Sequence, residues 1–215
     1  MSADFVAAME DVLDLYAEPY DPQRPVVCFD ETSTQLLSDS RPPIPVEPGR
    51  PKREDYEYRR EGTRNLFLCI EPLAGWRHVA VTERRTAGDF AHQMRWLVDE
   101  AYPDVPVVRV VLDNLNTHCK ASLYQAFPAA EARRIARRLE FHYTPKHGSW
   151  LNMAEIEFSV ISRGCLKKRV PDEEFLCKEI HVLEQERNQA QARVNWHFGI
   201  LDARTKLHRL YPIKS

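Results

Sequence analysis

Glycine is scarce in this chain: seven in 215 residues, at positions 49, 62, 75, 88, 148, 164 and 199, no two closer than thirteen residues. That spacing excludes the GxGxxG dinucleotide fingerprint, the phosphate-binding P-loop and the GxSxG nucleophile elbow, each of which needs glycines a few residues apart. The equal steps from 49 to 88 are not a repeat, because the flanking residues do not recur. No apolar run approaches the roughly eighteen residues that cross a bilayer. The first residues carry Asp4, Glu10 and Asp11 and no early basic cluster, unlike a secretory signal. The five cysteines (Cys28, Cys69, Cys119, Cys165, Cys177) are odd in number and scattered, which predicts reduced, buried thiols in a cytosolic protein. Only Cys177 and His181 have metal-ligand spacing on a helix, and no second pair matches them, so a zinc site is not expected.

Charge of one sign is also lacking. The net charge is −2, so the chain as a whole does not advertise nucleic-acid binding. The local pattern is less even. Residues 50–64 hold six basic and four acidic side chains. Arg163, Lys167, Lys168 and Arg169 run without an acid between them, as do Arg204, Lys206, Arg209 and Lys214. Taken singly, each cluster reads as an ordinary solvated surface.

What is present is a core-forming pattern, with 43% hydrophobic residues. Phe5, Val6, Met9, Val12, Leu13 and Tyr16 recur at helical spacing over 3–18. Pro25 to Asp30 is a short β-branched run that predicts a buried strand ending in a carboxylate. Residues 38–54 hold five prolines and predict an extended arm. Leu66–Ile70 and Trp76–Val81 form a predicted hairpin, Thr86–Glu100 a helix, and Val107–Leu112 a strand ending at Asp113. A helix over Ala121–Arg138, a strand over Leu139–Tyr143, and helices over Trp150–Lys168 and 172–195 follow. Three strands and then alternating helices and strands predict an α/β fold, a mixed sheet flanked by helices with a C-terminal helical extension.

Two carboxylates share one setting, since Asp30 and Asp113 each close an apolar strand. Ligands of open α/β sheets sit beyond strand ends. If the strands are neighbours, the two anions converge and repel, and a divalent cation compensates them. Oxygen donors favour Mg²⁺ or Mn²⁺ over zinc. The alternative is that each Asp caps a following turn. A third ligand is expected from the helix over 150–168, which offers Glu155 and Glu157. These lie about 200° apart on a helical wheel, so they cannot share one site. Glu155 falls beside Asn152, Ser159 and Ser162, which leave room for an ion; Glu157 falls among Trp150, Met153, Val160 and Ile161. The reading favours Glu155.

Three blocks carry a family resemblance: Cys28-Phe-Asp-Glu31, Val111-Leu-Asp-Asn-Leu-Asn-Thr-His118 and Tyr143-Thr-Pro-Lys-His-Gly-Ser-Trp-Leu-Asn-Met-Ala-Glu155. With Glu-Pro-Leu-Ala-Gly-Trp-Arg-His between the first two, they resemble the catalytic blocks of bacterial insertion-sequence transposases of the six-thirty family, relatives of the Tc/mariner group. The resemblance runs from about residue 3 to 212. It implies a ribonuclease-H-like fold divided into a linker helix (1–20), a catalytic core (21–170) and a helical extension of the same domain (171–215). It places an acidic triad on Asp30, Asp113 and Glu155, with 41 residues between the last two. It implies two Mg²⁺ or Mn²⁺ ions about 3.5–4 Å apart, bridged by Asp30, one also held by Asp113 and the other by Glu155. The chemistry implied is DNA cleavage and strand transfer; a hydrolytic nuclease of the same fold and a non-catalytic remnant are the alternatives. The partners implied are DNA (element ends and target), a second copy of the chain, and a helix-turn-helix half that precedes the blocks in such proteins. The compartment implied is the bacterial cytoplasm, at the nucleoid. Among basic residues, Lys146 and His147 are expected on DNA. His118 is expected to orient DNA or a carboxylate, or to stabilise a turn. Arg133 and Arg137, with Arg134 and Arg138 beside them, either track a phosphate backbone or pair with neighbouring acids. Trp150 reads as core, with stacking on an unpaired base as the lesser alternative.

Overall fold

The molecule, a computed structural model, is described over residues 3–40 and 57–212. Seven helices are described: α1 (Ala3–Ala17), α2 (Ala87–Trp96), α3 (Lys120–Ala126), α4 (Ala129–Arg137), α5 (Ala154–Gly164), α6 (Glu173–Gln189) and α7 (Ile200–Lys206). The five strands are β1 (Val26–Asp39), β2 (Tyr58–Glu71), β3 (Trp76–Thr82), β4 (Val108–Leu112) and β5 (Leu139–Tyr143). They form one sheet in the order β3-β2-β1-β4-β5. The hairpin strands β1, β2 and β3 pair antiparallel, while β4 runs parallel to β1 and β5 parallel to β4.

Each face of the sheet carries its own core. Alternation along β1 sends Cys28 to one side, with Met9, Val12 and Leu13 of α1 and Phe158 and Ile161 of α5. It sends Val27 and Phe29 to the other, with Phe90 and Met94 of α2, Leu123 of α3 and Ile135 of α4. Phe29 is fully buried and packs against Phe67 at 5.9 Å and Phe90 at 5.5 Å between ring centroids. β4 is buried at every residue, as a parallel strand covered on both faces must be. Leu176 and Ile180 of α6 join the core of α1 and α5, and the Leu37 N–H donates to the Val170 carbonyl at 2.7 Å. The C-terminal helices are therefore packed onto the sheet.

Several elements differ from the sequence reading. The predicted strand to Asp30 continues to Asp39, because β2 pairs with it throughout, with a register shift at Leu36/Leu37. The predicted helix over Ala121–Arg138 is two helices. Pro128 disfavours helical geometry in the residue before it, and Phe127 is extended at φ −128° and ψ 157°. The helix expected from Trp150 opens as a 3₁₀ turn, Ser149–Leu151, and becomes α-helical only at Ala154. The last long helix stops at Gln189. The arm over 38–54 begins as the last residues of β1, and from 41 onward it lies outside the described residues.

Cys28, Cys69 and Cys165 are buried, as expected, and burial pushes the first two thiols up to about 12. Cys177 departs from the expectation, being exposed on the outer face of α6, and Cys119 is half-buried. Among the described residues, no helix is long and apolar enough to cross a membrane.

Candidate active site

Asp30 does not end its strand, but it stands where one side of that strand is released. The β1–β4 pairing covers Val26–Cys28 against Arg109–Val111, and β4 ends at Leu112. Beyond that point the β4 side of β1 has no strand partner. Asp30 Oδ1 accepts the Glu31 N–H at 2.9 Å. Burial pushes the Asp30 carboxyl up to about 7, and the negative charges of Asp113, Glu155 and Glu31 add to the rise against that hydrogen bond. Of the acids singled out by the sequence, Asp113 and Glu155 thus each act electrostatically on Asp30.

Asp113 follows β4 directly and is fixed by a neighbour. His118 is 1% exposed, stacked edge-on against Phe29 at 5.4 Å and tilted on Phe90 at 4.9 Å. Its Nδ1 meets Asp113 Oδ1 at 2.5 Å, and its Nε2 lies 2.9 Å from Glu31 Oε2. The Glu31 contact is an ion pair without hydrogen-bond alignment, since that oxygen has no hydrogen-bond partner. Burial opposes a charge on this ring, but the hydrogen bond to Asp113 and the negative charges of Glu31 and Asp113 outweigh it and carry the imidazole up to about 9. His118, expected to orient DNA or a carboxylate or to stabilise a turn, is a buried ring held between two carboxylates. The Leu115 N–H donates to the same Asp113 oxygen at 3.3 Å, so neither partner occupies Oδ2.

The third acid depends on how α5 begins. Asn152 is buried, and its side-chain amide donates to the Phe29 carbonyl at 2.9 Å and faces Asp30 Oδ2 at 3.4 Å. Its Oδ1 accepts the Ala154 N–H at 3.1 Å, and its carbonyl accepts the Glu155 N–H at 3.1 Å. One side chain therefore pins the start of α5 to the strand beside Asp30. Glu155 is exposed and lines a cleft of about 480 Å³ with Thr32, Phe158, Ser159, Ser162 and Arg163. Glu157 is 1% exposed and turned away, held by Arg187 at 2.5 and 2.8 Å and by Arg77 at 3.2 Å.

A second cleft, of about 390 Å³, opens beside Asp113 and is lined by Asn114, Leu115, Lys146 and His147 among others. Lys146 and His147 are exposed at its rim. The four arginines of α4 divide. Arg134 forms a bidentate pair with Asp99 at 2.6 and 2.8 Å, and Arg138 donates to the carbonyls of Val98, Tyr102 and Val105. Arg133 and Arg137 are exposed, and no described contact joins them to the carboxylates.

Two participants escaped the sequence reading as site residues. Glu31 shares a strand face with Phe29, where a buried acid needs a cation, and His118 supplies it. Asn152 stands three residues before Glu155, a spacing akin to a helix-start signal.

Among the described residues, no three His, Cys, Asp or Glu side chains are gathered closely enough to hold a metal ion without rearrangement. The donor set nevertheless fits one. Asp30, Asp113 and Glu155 offer carboxylate oxygens, and no described lysine or arginine pairs with any of them. A set of carboxylates whose one described cationic partner is His118 carries the kind of charge that a divalent cation relieves.

Residues 25–177 match the sequence profile of a family described as DDE superfamily endonuclease. No curated protein matches the chain. Among solved structures, the Mos1 strand transfer complex is similar at a TM-score of 0.51 and 15% identity, over 90% of this chain and 62% of that one. The catalytic domain of Mos1 mariner transposase is similar at a TM-score of 0.50 and 14% identity, over 89% and 93%. The chain thus spans less than two thirds of the protein in the strand transfer complex and nearly all of the isolated catalytic domain. At these identities the likeness is one of fold, the ribonuclease-H-like arrangement expected.

Proposed function

This chain belongs to the DDE superfamily endonucleases, and from that premise we propose that it is the catalytic domain of an insertion-sequence transposase, cutting DNA and transferring the cut strand with divalent metal. What supports the proposal is that the charges of Asp113 and Glu155 both act on the mostly buried Asp30 carboxyl, with no described lysine or arginine paired to any of the three. These three carboxylates would hold Mg²⁺ or Mn²⁺. When bound, a pair of such ions polarises the scissile phosphate and acidifies a water.

The chain's own groups prepare that site. With no cation bound, Asp30 holds a proton near neutral pH and must release it from its carboxyl to become a ligand. The His118 ring keeps Asp113 Oδ1 occupied and so presents Oδ2 to the cleft. Asn152 sets the distance between β1 and α5, and with it the approach of Glu155 to Asp30. Lys146 and His147, at the rim of the cleft, are placed to take phosphates of the substrate. Arg133 and Arg137 offer a second, more distant basic strip. The division into linker helix (1–20), catalytic core (21–170) and helical extension (171–215), a second copy of the chain, a helix-turn-helix half for recognition of element ends, and action at the bacterial nucleoid belong to the same proposal.

The test is cleavage of duplex DNA in Mg²⁺ or Mn²⁺ by the chain and by its Asp113→Ala variant. The proposal expects metal-dependent cleavage that the variant lacks; retained cleavage in the variant contradicts it. Addition of a DNA 3′-hydroxyl end then separates a transposase, which joins strands, from a nuclease, which only hydrolyses.

A further inference from the structure

Trp150, expected in the core, is 42% exposed. It sits in the 3₁₀ turn between the rim residues Lys146 and His147 and the positioning residue Asn152. Two rings hold it in place. Trp196 lies nearly parallel to it at 6.3 Å and 18°, and Phe198 meets it edge-on at 5.5 Å. Trp196 is itself fixed by Tyr16 at 5.4 Å and by its indole N–H, which donates to the Phe198 carbonyl at 2.6 Å. The indole is therefore rigid on one side and open to solvent elsewhere.

The loop before it is equally set. His147 adopts φ 66°, a left-handed conformation that a side-chain-bearing residue rarely takes. A Cβ on Gly148 would stand 2.6 Å from Pro145 Cγ, so only glycine fits there. Lys146 and His147 are exposed, with no described ion-pair partner. Two exposed basic groups and a fixed aromatic ring thus stand within five residues of chain, Lys146 to Trp150, and Glu155 follows five residues later.

We infer that Trp150 is a stacking platform for an unpaired base of the DNA strand entering the carboxylate cleft, with Lys146 on a neighbouring phosphate. The inference rests on the DNA-cutting reading above and adds a contact to it. A base inside a duplex already has stacking partners on both faces, so an open indole favours one that has left its helix. Such stacking tolerates any base, because every base has a π face. An indole held in advance by Trp196 and Phe198 loses little freedom when the base arrives.

The experiment uses single-stranded oligonucleotides with one base at a time replaced by an abasic site. Affinity is read by fluorescence anisotropy, and Mn²⁺-dependent cleavage of the same DNA is measured in parallel. The wild-type chain should show one or two positions where removing the base weakens binding about 5- to 150-fold. Trp150→Ala should bind the intact oligonucleotide more weakly by a similar factor and be indifferent to the abasic site, while Trp150→Phe keeps most of the sensitivity. Should Trp150→Ala fail to fold, Trp150→Leu replaces it, with the same loss expected. A flat abasic scan in a wild-type chain that cleaves overturns the inference and leaves the function standing, as does a Trp150 variant that keeps the full sensitivity. No Mn²⁺-dependent cleavage in any arm defeats the function itself, and the inference falls with it.

Discussion

Glu155 and Glu157 are two residues apart on one helix and have opposite surroundings. Glu157 is buried with Arg77 and Arg187, its two oxygens both engaged. Arg77 in turn donates to the Gly75 and Ala192 carbonyls, and the Arg77 N–H on the backbone donates to Asn188 Oδ1 at 2.8 Å. That network ties β3, α5, α6 and the segment after α6 together, and the Glu157 charge is met by two arginines within the protein. Glu155 is exposed on its cleft, and no described lysine or arginine pairs with it. The contrast shows how to tell a structural acid from a chemical one. The first is satisfied before any ligand arrives, whereas the second is left in deficit and is completed by what binds.

The sharpest way to break the comparison is to neutralise each acid in turn. Asp30→Asn, Asp113→Asn and Glu155→Gln should each lower DNA cleavage by about a hundredfold or more, since each removes a charge that stabilises the transition state through a cation. The melting temperatures of Asp30→Asn and Glu155→Gln should stay at or above the wild-type value, while Asp113→Asn should melt lower because it weakens the pair that holds buried His118. Glu157→Gln should do the reverse. Breaking a buried pair costs about 3–5 kcal/mol because Arg77 and Arg187 are left facing each other, so thermal unfolding should drop steeply while the folded fraction still cleaves. A Glu157→Gln protein that melts like the wild type would dissolve the distinction.

A smaller effect is expected from the groups behind the acids. His118→Gln and Asn152→Ala should weaken metal affinity by about 10- to 100-fold, the usual cost of losing a group that orients a ligand, with Asp30, Asp113 and Glu155 all still present. Calorimetric titration with Mn²⁺ checks this; unchanged affinity in His118→Gln would mean that Asp113 needs no support.

The smallest effect is in pH. The Asp30 carboxyl is raised in the folded state to about 7 from an ordinary 3.8. Between those values the folded chain holds a proton that the unfolded chain has lost, so this group's contribution to stability falls as pH rises through that window and is flat above it. His118 is raised to about 9 from 6.5, so its stabilisation is full below 6.5 and fades as pH rises through 9. Metal-free melting curves should therefore decline from pH 4 to pH 7 in the wild type. The decline should be shallower in Asp30→Asn, leaving that variant the more stable protein at pH 8. An identical slope in both would remove Asp30 from the account.

Much of this was legible in the order of residues. The apolar run ending at Asp113 predicted a strand with a carboxylate beyond its end, and the small polar neighbours of Glu155 separated it from Glu157. Asp30 was expected to close its strand, but that strand continues, and only the pairing on the β4 side stops. Polar Thr32 to Gln35 hid that continuation, because a strand paired on one side no longer reads as an apolar run. Pro128 was a visible helix breaker within the predicted helix over 121–138, and the residue before it yields as sterics require. The exposure of Trp150 was not legible, since its ring is held by Trp196 and Phe198, some 46 to 48 positions further along. The burial of His118 between two acids was hidden for a related reason: one of its partners, Glu31, lies on a strand distant in sequence.

Mn²⁺ titration of the wild-type chain, Asp30→Asn and Glu157→Gln, followed by the loss of the free-ion electron paramagnetic resonance signal, tests the shared carboxylate pocket most directly. Saturable binding that vanishes in Asp30→Asn and survives in folded Glu157→Gln is the result this account predicts. Equal uptake by the wild type and Asp30→Asn would contradict it.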